Sequence, residues 1–305
     1  MKRILTLALV GLASAALAQE LRPAQPPVQL EKPELNQTLK MALPHPIVFV
    51  RTGAQKGLWK RDTDGTETRL SSGEDSSPAS YTGRIYFTRQ NGYQHYDIWS
   101  MKRDGSDERF EIANGYSPQP FAGVVAFIRR EPGKELGDKE MIWLMVKVGD
   151  DFRKVVSAVT ATGSYYMARP VFDPVTARLI VGTHRHNTGR TGHSSVRVYD
   201  FDGTAQKNLW DRASSGVGGL AVYKDGSGIH RLGVMSENGI GADVWKLDGG
   251  AGTTKLIADP DVESSLDATD TGRLLIGAGG KLYLASKTGG GRITICYGTE
   301  GIWLD

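Results

Sequence analysis

Cysteine is all but missing from this chain of 305 residues: Cys296 stands alone and can form no internal disulfide. A chain without bridges has to be held by a large apolar core. Cys296 closes the apolar run Ile293–Thr294–Ile295, so it reads as a buried small hydrophobe rather than a reactive thiol. A surplus of either charge is lacking too, with 37 Lys and Arg against 34 Asp and Glu. That balance argues against a general nucleic-acid or membrane-surface binder, which would carry a basic excess. Long segments of period 3.6 are absent, which leaves an all-β chain as the class that suits. Familiar catalytic signatures are missing as well. No Gly-x-Ser-x-Gly elbow occurs, no Gly-rich loop joins a strand to a helix, and there is no Ser-x-Asp-x-Gly box.

What is present begins with a leader. Lys2 and Arg3 precede an apolar run that ends in Ala16–Leu17–Ala18, the pattern of a secretory signal with a small-x-small cleavage site. The apolar stretch is shorter than the ~20 residues a membrane span requires. Residues 1–18 are therefore expected to be removed, leaving 35 basic against 34 acidic residues and no transmembrane segment. Residues 19–44 hold Pro23, Pro26, Pro27, Pro33 and Pro44 and read as an extended Pro-rich leader. A periplasmic or secreted location follows as the expectation.

From Ile47 onward one unit recurs. Its clearest copy is Ile85–Tyr86–Phe87–Thr88–Arg89, a polar loop, Asp97–Ile98–Trp99–Ser100–Met101, and a turn at Asp104–Gly105. Asp-Gly between apolar runs marks a hairpin, because Gly accepts the positive φ such turns need. The first strand returns at Ile47–Arg51 and Val125–Arg129, and more loosely at Leu179, Leu232 and Leu274. The second keeps an aliphatic residue followed by a ring at Leu58–Trp59, Ile142–Trp143, Val244–Trp245 and Leu282–Tyr283. The turns centre on Gly65, Gly105, Gly149, Gly203, Gly249 and Gly289, spaced by 40 to 54 residues. That period is the one expected of propeller blades, and the six copies predict a six-bladed β-propeller of four-stranded antiparallel blades over residues 45–305.

Each blade also needs a strand ahead of the Phe-bearing one. Candidates are Ser77–Tyr81, Ser117–Phe121, Arg169–Pro174, Gly219–Tyr223 and Ser265–Ala268; their prolines place them at an edge, which in a propeller lines the axis. Blade one has no such strand upstream, whereas the chain end has a spare, Gly301–Asp305. We expect this tail to return to blade one and close the ring.

The elements Ser77–Pro78, Ile85-x-Phe87-x-Arg89, Asp97–Ile98–Trp99 and Asp104–Gly105 followed by Arg109–Phe110 resemble the propeller repeats of the TolB family. The resemblance covers residues 46 to 305 and is clearest in blades one to three. It implies the propeller fold, without the separate α/β domain that precedes the propeller in that family.

Long connections on a rigid scaffold are where binding usually resides. Arg130–Glu140 and Thr183–Ser195 read as the long ones, and both fall on the face opposite the Asp-Gly turns. Two constellations belong there. Arg51, Arg89 and Arg129 end equivalent strands in three successive blades and could form an arc for carboxylates or anionic sugars, or be paired with nearby acids. His184, Arg185, His186 and His193 crowd one segment; a His-x-His pair on a strand points to one side, which suits a metal, although no acid or Cys within the segment completes a site. The repeated Trp residues read as inter-blade packing. Trp210, outside that register, is the candidate for exposure. The function expected is an exported, non-catalytic, monomeric propeller without cofactor that binds an envelope or extracellular protein, or a glycan. The alternative is a metal-dependent lyase or hydrolase acting on acidic sugars. Some uronate lyases are also built on TolB-like propellers with a His-held metal, which makes His184, His186 and His193 the first suspects.

Overall fold

A computed structural model of the chain describes residues 42–93, 95–131, 141–159, 165–187, 190–213, 216–236, 242–247, 254–259, 263–288 and 290–304. The signal segment 1–18, nearly all of the leader 19–44, and the turn glycines Gly249 and Gly289 lie outside these residues.

The apolar alternation of the repeats folds as six antiparallel sheets. Blade one holds β1 (Ile47–Arg51), β2 (Gly57–Arg61) and β3 (Glu67–Arg69), blade two β4 (Asp75–Tyr81), β5 (Arg84–Gly92), β6 (His95–Lys102) and β7 (Arg109–Ile112). Blade three holds β8 (Tyr116–Phe121), β9 (Val124–Glu131), β10 (Met141–Val148) and β11 (Asp151–Val159). In blade four the inner strand is split into β12 (Tyr165–Met167) and β13 (Val171–Phe172), followed by β14 (Leu179–Asn187), β15 (Arg190–Tyr199) and β16 (Ala205–Ala213). Blade five has β17 (Gly216–Asp225), β18 (Gly228–Ser236), β19 (Ala242–Lys246) and β20 (Thr254–Asp259), and blade six β21 (Glu263–Ala268), β22 (Leu274–Ala278), β23 (Lys281–Ala285) and β24 (Ile293–Tyr297).

The last strand, β25 (Gly301–Trp303), pairs antiparallel with β1, Ile47 opposite Trp303 and Phe49 opposite Gly301. The tail of the chain thus supplies the inner strand of blade one, as expected. Its axis-side amides are capped by the neighbouring inner strand: Gly301 N–H donates to Ser265 Oγ at 3.2 Å and Trp303 N–H to an Asp267 carboxylate oxygen at 2.8 Å.

The core is divided into six clusters, one between each pair of adjacent blades. Strand periodicity explains the division, since successive side chains leave opposite faces of a sheet. Ile47 and Phe49 pack toward blade six, whereas Val48 and Val50 pack toward blade two. The aliphatic-ring pairs obey the same rule: Leu58, Val244 and Leu282 face the following blade, and Trp59, Trp245 and Tyr283 the preceding one. Cys296 is buried in the cluster between blades six and one.

Two expectations change. Thr183–Ser195 is no loop, because β14 and β15 run on as an extended hairpin with His184 opposite Ser194. A polar sequence looks like a loop when scanned singly, yet cross-strand pairing needs no apolar residue where the hairpin projects beyond the core. Trp210 is also misread as exposed. It lies on β16 opposite Val196, is 4% exposed, and joins Val217, Leu220 and Trp245 in the cluster between blades four and five.

Candidate functional site

The inner strands share a local irregularity that shapes the axis. Pairing skips between Ser76 and Ala79, Tyr116 and Gln119, Val217 and Gly219, and Glu263 and Ser265. In blade four the break falls between β12 and β13, around Arg169–Pro170. Proline lacks an N–H and cannot continue a ladder, so Pro78, Pro118 and Pro170 stand where pairing lapses. Ser77 and Ser117 take left-handed φ values of 49° and 53° there. Their amides leave the ladder for other acceptors. Ser117 N–H donates to Thr88 Oγ1 at 2.9 Å, and Ser77 N–H to the Glu300 carboxylate.

These breaks surround a cavity of about 270 Å³, to which every blade contributes: Glu300, Ser77, Ser117, Arg169, Gly218 and Ser265 in blade order. It opens near the starts of the inner strands, on the face that carries the connections between second and third strands. Arg169 is held by a hydrogen bond to the Pro78 carbonyl. Burial pushes the Glu300 carboxyl above its ordinary range, an effect that the Ser77 N–H and the Arg169 charge offset only in part. One carboxylate, one guanidinium and three serine hydroxyls make a site suited to holding a polar, dipolar group. Among the described residues no His, Cys or second carboxylate lines it, and the Ser77 side chain also hydrogen-bonds the Glu300 carboxylate.

The arginine arc is built but engaged. Arg51 pairs with Glu67 at 2.6 Å and lies over the Trp59 ring at 4.3 Å. Arg89 forms a fork on Asp75 at 2.7 and 3.1 Å, reaches Glu108 at 2.6 Å, and covers Trp99. Arg129 donates to the Asn114 and Ala113 carbonyls and stacks on Phe127 and Phe152. Each guanidinium bridges strands of its own neighbourhood. Similar cations cover the rings of other blades: Lys154 over Trp143, Lys255 over Trp245 and Arg292 over Tyr283.

His184 and His193 are not gathered. His184 is fully buried, with Nδ1 2.7 Å from Ser194 Oγ. His193 is half-exposed and its Nε2 lies 2.8 Å from Asp211. Arg185 pairs with His193 in register, so His184 and His193 leave opposite faces of the hairpin. The side chains of Arg185 and His186 lie outside the described residues. Among the described residues no group of three His, Cys, Asp or Glu is placed to hold a metal.

Arg169 and Glu300 were not singled out from sequence as site residues. The signal was the repeated Ser77–Pro78, Ser117–Pro118 and Arg169–Pro170 dipeptides, which mark the height of the cavity in three blades. Nothing comparable flags Glu300, because it reaches the axis only through ring closure.

No family model matches the sequence, and no curated protein matches it. Solved structures do. TolB from Acinetobacter baumannii superposes with a TM-score of 0.61 at 16% identity, covering 85% of this chain and 66% of that one. A putative 6-phosphogluconolactonase from Bacteroides uniformis matches with a TM-score of 0.50 at 11% identity, over 84% of this chain and 97% of that one. Another, from Bacteroides fragilis, matches with a TM-score of 0.50 at 10% identity, over 86% and 98%. This chain spans less than two thirds of the TolB chain, and at these identities the likeness is one of fold. What the chain shares with TolB is the fold, which in this chain is a six-bladed propeller.

Proposed function

We propose that this protein is an exported, non-catalytic binding module of the cell envelope that captures a protein or glycan partner on the face bearing the axial cavity. The observation that carries this reading is the cavity itself: all six blades line it, and it brings the Arg169 charge, the Glu300 carboxyl and three serine hydroxyls to one place on the axis. Lys2, Arg3 and Ala16–Leu17–Ala18 support export, and among the described residues no helix is long and apolar enough to cross a membrane. A propeller suits this work because a rigid ring holds ligand groups in place before the partner arrives, which lowers the ordering cost of binding.

Crosslinking in intact cells followed by mass spectrometry tests the reading. A photo-reactive residue at Ser117 should capture a partner, and one at Asp104, on the opposite face, should not. Arg169→Ala should reduce the Ser117 capture about tenfold or more. Capture confined to the Asp104 face, or turnover of uronate oligomers by protein that retains stoichiometric metal, would overturn it.

A further inference from the structure

A second cavity lies on the same face, at the seam where the ring closes. It measures about 240 Å³ and is lined by Arg51, Thr52, Gln55, Gly280, Tyr297 and Thr299 among others. We infer that this groove is a subsite for a neutral pyranose ring, with Tyr297 as the stacking surface. The inference rests on the reading of this face as the binding face.

The groove exists because blades six and one are joined differently at their tops. Blade six turns from β22 to β23 through Gly279–Gly280 alone, whereas blade one carries the short 3₁₀ turn Gly53–Gln55 between β1 and β2. Between them the chain crosses from β24 to β25 through Gly298, Thr299 and Glu300. Gly298 N–H donates to the Gly280 carbonyl at 3.0 Å, and Thr299 N–H to the Val50 carbonyl at 3.0 Å. A Cβ on Gly298 would meet the Phe49 ring at 2.8 Å and the Val50 carbonyl oxygen at 2.9 Å, so the backbone is pressed onto blade one. A Cβ on Gly280 would meet nothing within 4 Å. The floor is therefore bare backbone with free space above it.

The walls have the chemistry of sugar recognition. Tyr297 is 49% exposed, large for an aromatic side chain that ends a strand. A Tyr ring offers an apolar face with a polar tip, the complement of a pyranose, whose axial C–H groups form one face and whose hydroxyls form the rim. Thr52 and Gln55 stand exposed on the opposite wall, and Thr52 makes no capping bond. The Gln55 carbonyl is taken by the Trp59 indole at 2.9 Å, which fixes the backbone and leaves the side-chain amide outward. An amide both donates and accepts, as a sugar hydroxyl requires of its partner.

Charge selects among sugars. Arg51 is the one charged side chain of the lining; it shares Glu67 with Arg61, at 2.6 and 3.0 Å, and lies over the Trp59 ring. With Nε directed at the Tyr297 carbonyl and Nη2 at Glu67, Arg51 presents a uronate with no vacant Nε–Nη2 fork, whereas a neutral ring needs none. The volume lies below the roughly 300–1,000 Å³ of sites for drug-sized ligands, which fits one ring better than a folded peptide. The linker that lines this groove with Thr299 also places Glu300 in the axial cavity.

Saturation-transfer NMR on the full mature chain tests this with methyl hexopyranosides, their neutral β-1,4 and α-1,4 oligomers, galacturonate oligomers and a Tyr-rich peptide as probes. Neutral sugars should bind. Tyr297→Ala should weaken binding about tenfold, and Gly280→Asn, which fills the groove at a φ of 74° that Asn tolerates, should abolish it. Tyr297→Phe should retain most of it. The inference is overturned if no neutral sugar transfers saturation, if only the uronates or the peptide bind, or if binding survives both substitutions. Capture of a partner at Ser117 without any sugar signal would sink the seam subsite alone; loss of both would sink the binding-face reading with it.

Discussion

Glu300 shows how far placement changes a residue. In an unfolded chain it titrates near 4.5, and burial beside the axis raises it. Between those values the folded protein holds a proton that the unfolded chain has lost, so stability falls as pH rises through this window. Thermal melts should thus show the wild type gaining stability on acidification from neutral pH toward 4.5 relative to Glu300→Gln; parallel curves would refute the assignment. Asp173 titrates with the opposite sign. Burial works to raise its pKa, but the Arg231 guanidinium at 2.6 Å and the Val175 and Thr176 amides hold it below the ordinary range. Its contribution is present above the ordinary carboxylate range and is lost as pH falls through the lowered value. The side chain is fully buried and ties the first turn of blade four to β18 of blade five. Asp173→Ala removes a fully buried carboxylate together with its bonds to Arg231, Val175 and Thr176 and should cost roughly 3–5 kcal/mol by denaturant titration at neutral pH; a loss below about 1 kcal/mol would show the pair to be dispensable.

At the scale of elements, β25 matters out of proportion to its three residues. Ile302, Trp303 and Leu304 are 3%, 3% and 2% exposed and feed the clusters on both sides of blade one. At about 1.5–3 kcal/mol for each fully buried apolar side chain, removing residues 301–305 forfeits on the order of 5 kcal/mol or more. That is comparable with the whole stability of many domains. The truncated chain should melt far lower and aggregate, because the inner edge of β1 is then unpaired. An unchanged melting temperature would rule out the closure. β16 makes a second case. Its sequence Ala205–Ala213 has few apolar residues, and only pairing with β15 places Trp210 in a core. Trp210→Ala should cost about 3–5 kcal/mol, whereas a solvent-facing Trp would cost almost nothing.

For the molecule as a whole, the six clusters lie between blades rather than within them, so each blade depends on two neighbours. Native-state hydrogen exchange should therefore open the middle-strand amides of all six blades in one cooperative step. Protection that falls blade by blade would contradict a closed ring. Sequence alone was enough for the architecture, because period-two alternation and the turn glycines are local signals that recur in six copies, with the aliphatic-ring pair in five of them and Asp-Gly at four of the turns. It was enough, too, for the spare strand at the chain end, since an apolar tail needs a partner. The cavity, the engaged state of Arg51, Arg89 and Arg129, the separation of His184 from His193, and the seam groove were decided only in three dimensions. Each depends on which side chains meet across strands, faces or blades, and such a meeting leaves no trace in the spacing of residues along the chain.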